Sequence, residues 1–156
     1  MRMLLANLAM GLLWVALTTD ASPANLLLGL VLGYLVLRLA VGRRGPAYFR
    51  KVPELLGFLG YFFAELVVSS LRVAHDVVTP THHMRPAIIA VPLDASTDAE
   101  ITLLSCLLTL TPGTLTLDVS ADRKTLYVHA MFVRDYDRSR AAIKHGLERR
   151  LLELMR

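Results

Sequence analysis

The chain has 156 residues, of which 54% are hydrophobic and only 19% are charged, with a net charge of +4 and a mean hydropathy of +0.50. The apolar share lies above the ~45–50% that is typical of soluble domains, and the charged share lies below their ~25%. So large an apolar share excludes a disordered chain. The lone Cys106 excludes a disulfide scaffold, and the modest charge excludes a nucleic-acid-binding stripe. A membrane protein with a soluble part is the class that remains.

The two halves of the chain differ in charge. Residues 1–80 carry 7 Lys or Arg and 4 Asp or Glu, whereas residues 81–156 carry 10 and 9. We therefore predict membrane helices in residues 1–80 and a small soluble domain in residues 81–156.

The first two segments predict an apolar helical hairpin. Met3–Leu17 carries no charge, and Ala24–Gly42 contains 14 hydrophobic residues among 19. A helix that crosses the ~30 Å hydrocarbon layer needs roughly 17–25 such residues, so the second segment is long enough and the first is marginal. Ser22 and Pro23 are typical of a helix start, and so short a link makes the two helices antiparallel.

Two features of this hairpin have alternative interpretations. The first segment, which follows Arg2, also fits a secretory signal peptide, although a second apolar helix follows at once. Gly29 and Gly33 would let another helix approach closely, although such a pair is often incidental.

Cations interleaved with aromatic residues in Arg43–Lys51 favour a short cytoplasmic loop at the lipid headgroups.

The third segment, Pro53–Val78, carries its charged residues on one side. At 100° per residue they fall within about 60° of one another, and we call them, with one tyrosine, the polar row. Its members are Glu54, Tyr61, Glu65, Arg72 and Asp76. If the helix spans the membrane, the row must face protein or water, because a charge at mid-bilayer costs about 2.5–3.5 kcal/mol. If the helix lies flat at the interface, the row faces water.

The number of crossings decides where the soluble domain lies. With both hairpin ends in the cytoplasm, a spanning third helix places the domain outside the cell. An interfacial third helix, or a hairpin arm that is only re-entrant, keeps the domain inside. The sequence leaves two or three crossings open.

From Arg85 onward the pattern is that of a small α/β domain. Three segments predict strands: Ala87–Val91, Leu115–Val119 and Thr125–Val133. The last two are separated by a hairpin turn over residues 120–124. We expect a parallel first pair crossed by a helix, followed by an antiparallel hairpin.

Two helices complete this domain. Thr97 and Glu100 form a capping box before a helix that is apolar nearly all round and that Pro112 and Gly113 stop. Asp137 is the predicted cap of the last helix. The order β-α-β-β-α is that of a ferredoxin-like unit without its last strand.

The sequence offers little chemistry for an active site. His75 and Asp76 with His82 and His83 could ligate a metal, but adjacent histidines in a linker usually face water. Cys106 lies among leucines, where a thiol is normally a small buried hydrophobe. No nucleotide-binding or hydrolase motif occurs. We therefore expect no enzymatic activity, no catalytic residue, no metal and no cofactor.

Four blocks of the second half resemble one family. They are Ile89–Leu93, Glu100–Leu104, Leu108–Thr114 and Leu126–Met131. In this order they are similar to the E subunit of Mrp-type multi-subunit sodium/proton antiporters, and the three preceding helices match in layout. The resemblance implies an accessory subunit of a bacterial cell-membrane complex that exchanges protons for monovalent cations, with its soluble domain in the cytoplasm.

We therefore expect a non-enzymatic, multi-pass antiporter subunit whose partners are other subunits and the lipid bilayer, not nucleic acid. Its helices would dock through Gly29, Gly33 and the charges of the polar row, with Glu65 as the candidate functional carboxylate. The first alternative is a stand-alone membrane-anchored adaptor. A small membrane metalloenzyme, using His82 and His83, is the second.

Overall fold

The computed structural model describes residues 2–41, 48–80 and 84–156. Its helices are α1 (Arg2–Thr18), α2 (Pro23–Val41), α3 (Tyr48–Val78), α4 (Asp98–Leu110), α5 (Tyr136–Ala142) and α6 (Arg149–Met155), with a π-helical segment, Ile143–Glu148, between the last two. The strands are β1 (Ala87–Pro92), β2 (Thr114–Val119) and β3 (Thr125–Ala130). The predicted helix end at Gly42, the cations Arg43 and Arg44, and the pair His82 and His83 lie outside the described residues.

The chain divides into two compact units, Met1–Glu54 and Leu55–Arg156. The division falls within α3. Most of α3 thus belongs with the α/β elements, because Phe58 and Phe62 are buried in the same core as the sheet.

Helix α3 begins at Tyr48, five residues before the predicted start at Pro53. A proline inside a helix removes one backbone donor, which here would bond the carbonyl of Phe49. The Tyr34 hydroxyl donates to that carbonyl oxygen at 3.3 Å. The carbonyl oxygen of Phe49 therefore accepts from the Tyr34 side chain in place of the missing backbone donor, and the helix continues through the proline.

Two of the helices are long and apolar enough to cross a membrane, α2 and α3, and α1 is a shorter apolar helix. In the first unit α1 packs along α2. Near their connection the Trp14 indole donates to Asn25 Oδ1 at 2.9 Å, and Asn25 Nδ2 donates to Thr18 Oγ1 at 2.6 Å. The hairpin that the sequence predicts is thus held at its turn by polar side chains.

The second unit contains a three-stranded antiparallel sheet of order β1-β3-β2. The strands predicted as a parallel first pair, β1 and β2, run in the same direction but do not pair, because β3 lies between them. Strand β3 supplies three buried side chains, Leu126, Val128 and Ala130, so the centre of the sheet is its most apolar position. The hairpin turn is confirmed, with Arg123 in the left-handed region at φ 58°.

One face of the sheet is covered and the other is open. The core on the covered face contains Ile89, Leu104 and Leu151, none more than 1% exposed. On the open face Ile88 and Leu115 are 58% and 45% exposed. Cys106, which we predicted to be buried, is exposed on α4.

The last helix differs from its prediction at both its cap and its interior. Asp135, not Asp137, is the cap: its Oδ1 accepts from the backbone N–H of Asp137 and Arg138 at 2.9 and 3.1 Å. The π-helical turn between α5 and α6 contains Gly146, where an added Cβ would lie 2.8 Å from the Tyr61 hydroxyl. The absence of a side chain at Gly146 therefore makes room for the tyrosine of α3.

Candidate functional site

The polar row of α3, from Tyr61 onward, is directed at the α/β part of its own unit. The Arg150 guanidinium lies 4.2 Å from the centre of the Tyr61 ring. Further along the helix Ser69 is 5% and Asp76 3% exposed, whereas Leu71 is 64% exposed. The side of α3 that carries the charges is thus the side that packs within the unit, and its apolar side is open.

Glu65 lines a small cavity of about 180 Å³, which we call the Glu65 cavity. Arg72 lines it too, and so do Pro112 and Gly113 from the turn that ends α4. Two sets of residues that the sequence singled out separately are therefore brought together. The rest of the lining mixes apolar residues such as Leu108 with hydroxyl-bearing ones such as Tyr61 and Ser69, and Glu65 itself is half-buried.

A larger cavity of about 520 Å³, the arginine cavity, lies at the other end of the row. Arg72 and Asp76 from α3 line it together with residues of the β3–α5 connection and of α5. The charged and titratable residues in its lining are Arg72, His75, Asp76, Arg134, Asp135 and Arg138. Arg72 and Asp76, which could pair along the helix, form no ion pair with each other in the described structure.

Glu54, the first member of the row, belongs to the first unit. Its carboxylate lies 3.4 Å from both Arg50 Nε and Lys51 Nζ, one helical turn before it. The structure therefore separates Glu54 from the three charges that line the cavities.

Gly29 and Gly33 lie where α2 meets α1. A Cβ on Gly29 would be 3.0 Å from the Gly11 carbonyl oxygen and from Trp14 Cβ, and one on Gly33 would be 2.6 Å from Asn7 Oδ1. The helix that these glycines admit is α1 of the same chain. Asn7, only 6% exposed, also donates to the Tyr48 hydroxyl at 2.8 Å.

The turn after α4 requires glycine. Gly113 has φ +88°, which side chains rarely adopt, and its Cβ position has room, with Phe132 at 3.5 Å. The N–H of Thr111 bonds back to Leu108, and the N–H of Thr114 bonds back to Thr111, both at 3.1 Å. This fits the structural role expected for Pro112 and Gly113.

A network of carboxylates around the loop after β1 was not predicted. Glu148, 1% exposed, accepts from the backbone N–H of Asp94 and Ala95 at 2.6 and 3.0 Å. The predicted capping box is confirmed, and its Glu100 also accepts from Arg156 Nε at 3.1 Å. Nothing in the local pattern marks Glu148, because its partners lie more than fifty residues away.

The Arg156 hydrogen bond, followed by the backbone donors of Ser96 and Thr97, lowers the pKa of Glu100 from 4.5 to about 2. Glu100 is therefore ionised near neutral pH and ties the end of α6 to the start of α4. Its position at the first turn of α4 also suits a negative charge, since the N-terminal end of a helix is partly positive.

The geometry provides packed helices, half-buried charges and two cavities, but the described residues include no group of three or more His, Cys, Asp or Glu suited to a metal ion. Residues 7–154 match a family described as Na+/H+ ion antiporter subunit. The chain belongs to this family. Named relatives are subunits of antiporters, that is, of transporters, and this chain has apolar helices long enough to cross a membrane.

Named relatives of the antiporter subunit family align over nearly the whole chain. The E subunit of the Na(+)/H(+) antiporter of Alkalihalophilus pseudofirmus is 34% identical over 152 residues, 97% of this chain and 96% of the relative. The E subunit of the Bacillus subtilis antiporter is 34% identical over 156 residues, 98% of each.

Two solved structures share the fold. A chain of the Mrp complex from Dietzia sp. DQ12-45-1b, 33% identical, superposes with a TM-score of 0.51 over 65% of this chain and 96% of that one. A chain of the archaeal membrane-bound sulfane sulfur reductase, 24% identical, reaches 0.58 over 98% of each and shows the likeness of fold alone. Membership of the family and the apolar helices together assign this antiporter subunit to a membrane.

Proposed function

We propose that this chain is the E subunit of a hetero-oligomeric Mrp-type antiporter that exchanges Na+ for protons, and that it has no enzymatic activity of its own. The observation that carries the proposal is the family match over residues 7–154, joined to a structural likeness to a chain of the Mrp complex. A stand-alone adaptor is the disfavoured alternative.

The proposal is tested in cells from which the gene has been deleted. Everted membrane vesicles should lose sodium-dependent proton exchange, and the full chain supplied in trans should restore it. Exchange that is undiminished without the chain would contradict the proposed function.

For the α/β part we propose the ferredoxin-like arrangement without its last strand. The order β1-β3-β2 with antiparallel pairing supports it, because the crossover through α4 then skips one strand. In the place of a further neighbour, side chains bond the edge of β1: Arg140 Nε and Lys144 Nζ each donate to a β1 carbonyl at 2.9 Å.

We further propose that α1 and α2 cross the membrane, while α3 lies at its surface and the α/β part lies in the cytoplasm. The burial of Phe58 and Phe62 in the same core as the sheet supports this, because that side of α3 is occupied by protein and not by lipid. The open side of α3 is apolar, with Phe63 61% and Leu71 64% exposed, as an interfacial helix requires.

The exposed Cys106 is a native reporter of this topology. A membrane-impermeant maleimide should label it in lysed cells and not in intact cells, with Cys106→Ser as the unlabelled control. Labelling in intact cells would place the domain outside and contradict two crossings.

For the polar row we propose a role in the ion path or in subunit contact, with Glu65 as the central group. Its half-buried carboxylate lines a cavity that Arg72 of the same row also lines. Glu54, Arg72 and Asp76 belong to the same proposal.

Glu65→Gln separates these roles in the assembled complex. Normal assembly with reduced exchange assigns Glu65 to the ion path, and reduced assembly assigns it to subunit contact. Glu153→Gln is the matched control, because Glu153 is exposed on α6, lines neither cavity and pairs with Arg149. If both variants assemble and exchange ions normally, neither role holds.

A further inference from the structure

The antiporter assignment does not explain why so many cationic residues line the arginine cavity. Three arginines, Arg72, Arg134 and Arg138, line it together with His75. Groups of like charge repel one another, and a shared cavity increases that repulsion unless an anion lies among them.

These three arginines have no carboxylate partner in the part of the chain that the structure describes. Some other arginines do have one: Arg123 pairs with Asp98 at 2.7 Å, and Arg149 pairs with Glu153 at 2.9 Å. Within the described ranges, Arg72, Arg134 and Arg138 make no ion pair. Their donors are therefore available to a ligand.

The two carboxylates in the lining do not neutralise the arginines. Asp135 uses its Oδ1 to accept the N–H of Asp137 and Arg138 as a helix cap. Asp76 is only 3% exposed, whereas Arg72, Arg134 and Arg138 are all exposed. The accessible part of the cavity is left with an excess of positive charge.

The chemistry of three guanidinium groups points to one ligand class. The planar guanidinium donates pairs of parallel hydrogen bonds to carboxylate or phosphate, and a phosphate can accept from several arginines at once. Three donors around about 520 Å³ leave room for more than a bare ion. A phosphate that carries a substituent fits this space.

The surroundings favour a lipid as the source. Arg72 adjoins the apolar open side of α3, where Val68 and Leu71 are 50% and 64% exposed. A phosphate bound by Arg72 would thus have apolar protein surface beside it on which acyl chains can lie. We propose that the arginine cavity binds a phosphate group, supplied in the membrane by the headgroup of an anionic phospholipid.

Binding is measured on the full chain in an uncharged detergent by isothermal titration calorimetry. The probes are short-chain phosphatidylglycerol, phosphatidylcholine with the same acyl chains, and inorganic phosphate. Phosphatidylglycerol should bind saturably and more tightly than phosphatidylcholine. If inorganic phosphate binds as tightly as phosphatidylglycerol, the site is retained and its source is free phosphate.

The triple variant Arg72→Gln, Arg134→Gln and Arg138→Gln should bind phosphatidylglycerol at least about tenfold more weakly, since it removes three charge-assisted donors. The matched control removes three cations that do not line the cavity, by Arg123→Gln, Lys124→Gln and Arg149→Gln, and should bind as the unaltered chain does. The corresponding triple change to lysine keeps the charge and should bind with intermediate affinity.

Several results would overturn the proposal: the absence of saturable binding, equal binding of the two lipids, or an equal loss in the control variant. Circular dichroism verifies that each variant is folded. If the triple glutamine variant unfolds, the three single glutamine variants decide, and unchanged affinity in all three contradicts the site.

Discussion

At the scale of single residues, our strongest prediction concerns Glu148. Its buried carboxylate accepts two backbone N–H groups of the loop after β1, so Glu148→Ala leaves both donors without that acceptor. We expect the free energy of unfolding of the second unit to fall by about 2–4 kcal/mol. Hydrogen exchange measured by mass spectrometry should show faster exchange at Asp94 and Ala95.

The control for this change is Glu153→Ala on the same helical stretch. Glu153 is exposed and pairs with Arg149, and such surface pairs contribute only about 0–1 kcal/mol. Equal exchange at the loop in the two variants would show that Glu148 does not hold it.

The lowered pKa of Glu100 makes the stability of the folded chain depend on pH. Its pKa in the folded chain, about 2, is below the ordinary value of 4.5, so its contribution is present above pH 4.5 and is lost as the pH falls toward 2. Thermal unfolding of the full chain in detergent should show this loss, and Glu100→Gln should show a smaller change over the same range. An identical pH profile for the two chains would contradict the Arg156–Glu100 contact.

At the scale of elements, the α1–α2 hairpin depends on close approach. Gly33→Ala places a methyl group 2.6 Å from Asn7 Oδ1, so the helices must separate and the hairpin should lose stability. Gly57→Ala is the matched control, because its Cβ would meet nothing within 4 Å and alanine favours the helix. Fluorescence of Trp14, the only tryptophan, reports on the hairpin during unfolding. A Gly33→Ala hairpin as stable as the control would contradict this packing.

The elements themselves were largely predictable, because local signals specify them. Apolar runs located α1 and α2, and the Thr97 and Glu100 pair located the start of α4. Strand order was not predictable, because β3 lies between β1 and β2 only through contacts distant in sequence. The cap of α5 was missed by two residues, since Asp135 and Asp137 both suit that position and only geometry selects the first.

At the scale of the whole molecule, the periodicity of α3 predicted the polar row but could not predict which surroundings the row faces. The same spacing suits water, a partner subunit or the chain's own α/β elements. The structure places Tyr61, Glu65, Arg72 and Asp76 beside the last of these, in the unit Leu55–Arg156. The Glu65 and arginine cavities combine residues of α3 with residues far along the chain, so sequence patterns alone could not locate them.

The central claim is that the chain works as one subunit of a hetero-oligomeric membrane complex. The most direct measurement is the mass of the particle that carries the chain after gentle detergent extraction from its native membrane. We expect a large particle that contains other membrane subunits in fixed proportion. Recovery of the chain as a free 17.3 kDa monomer, with no other subunit attached, would contradict the account.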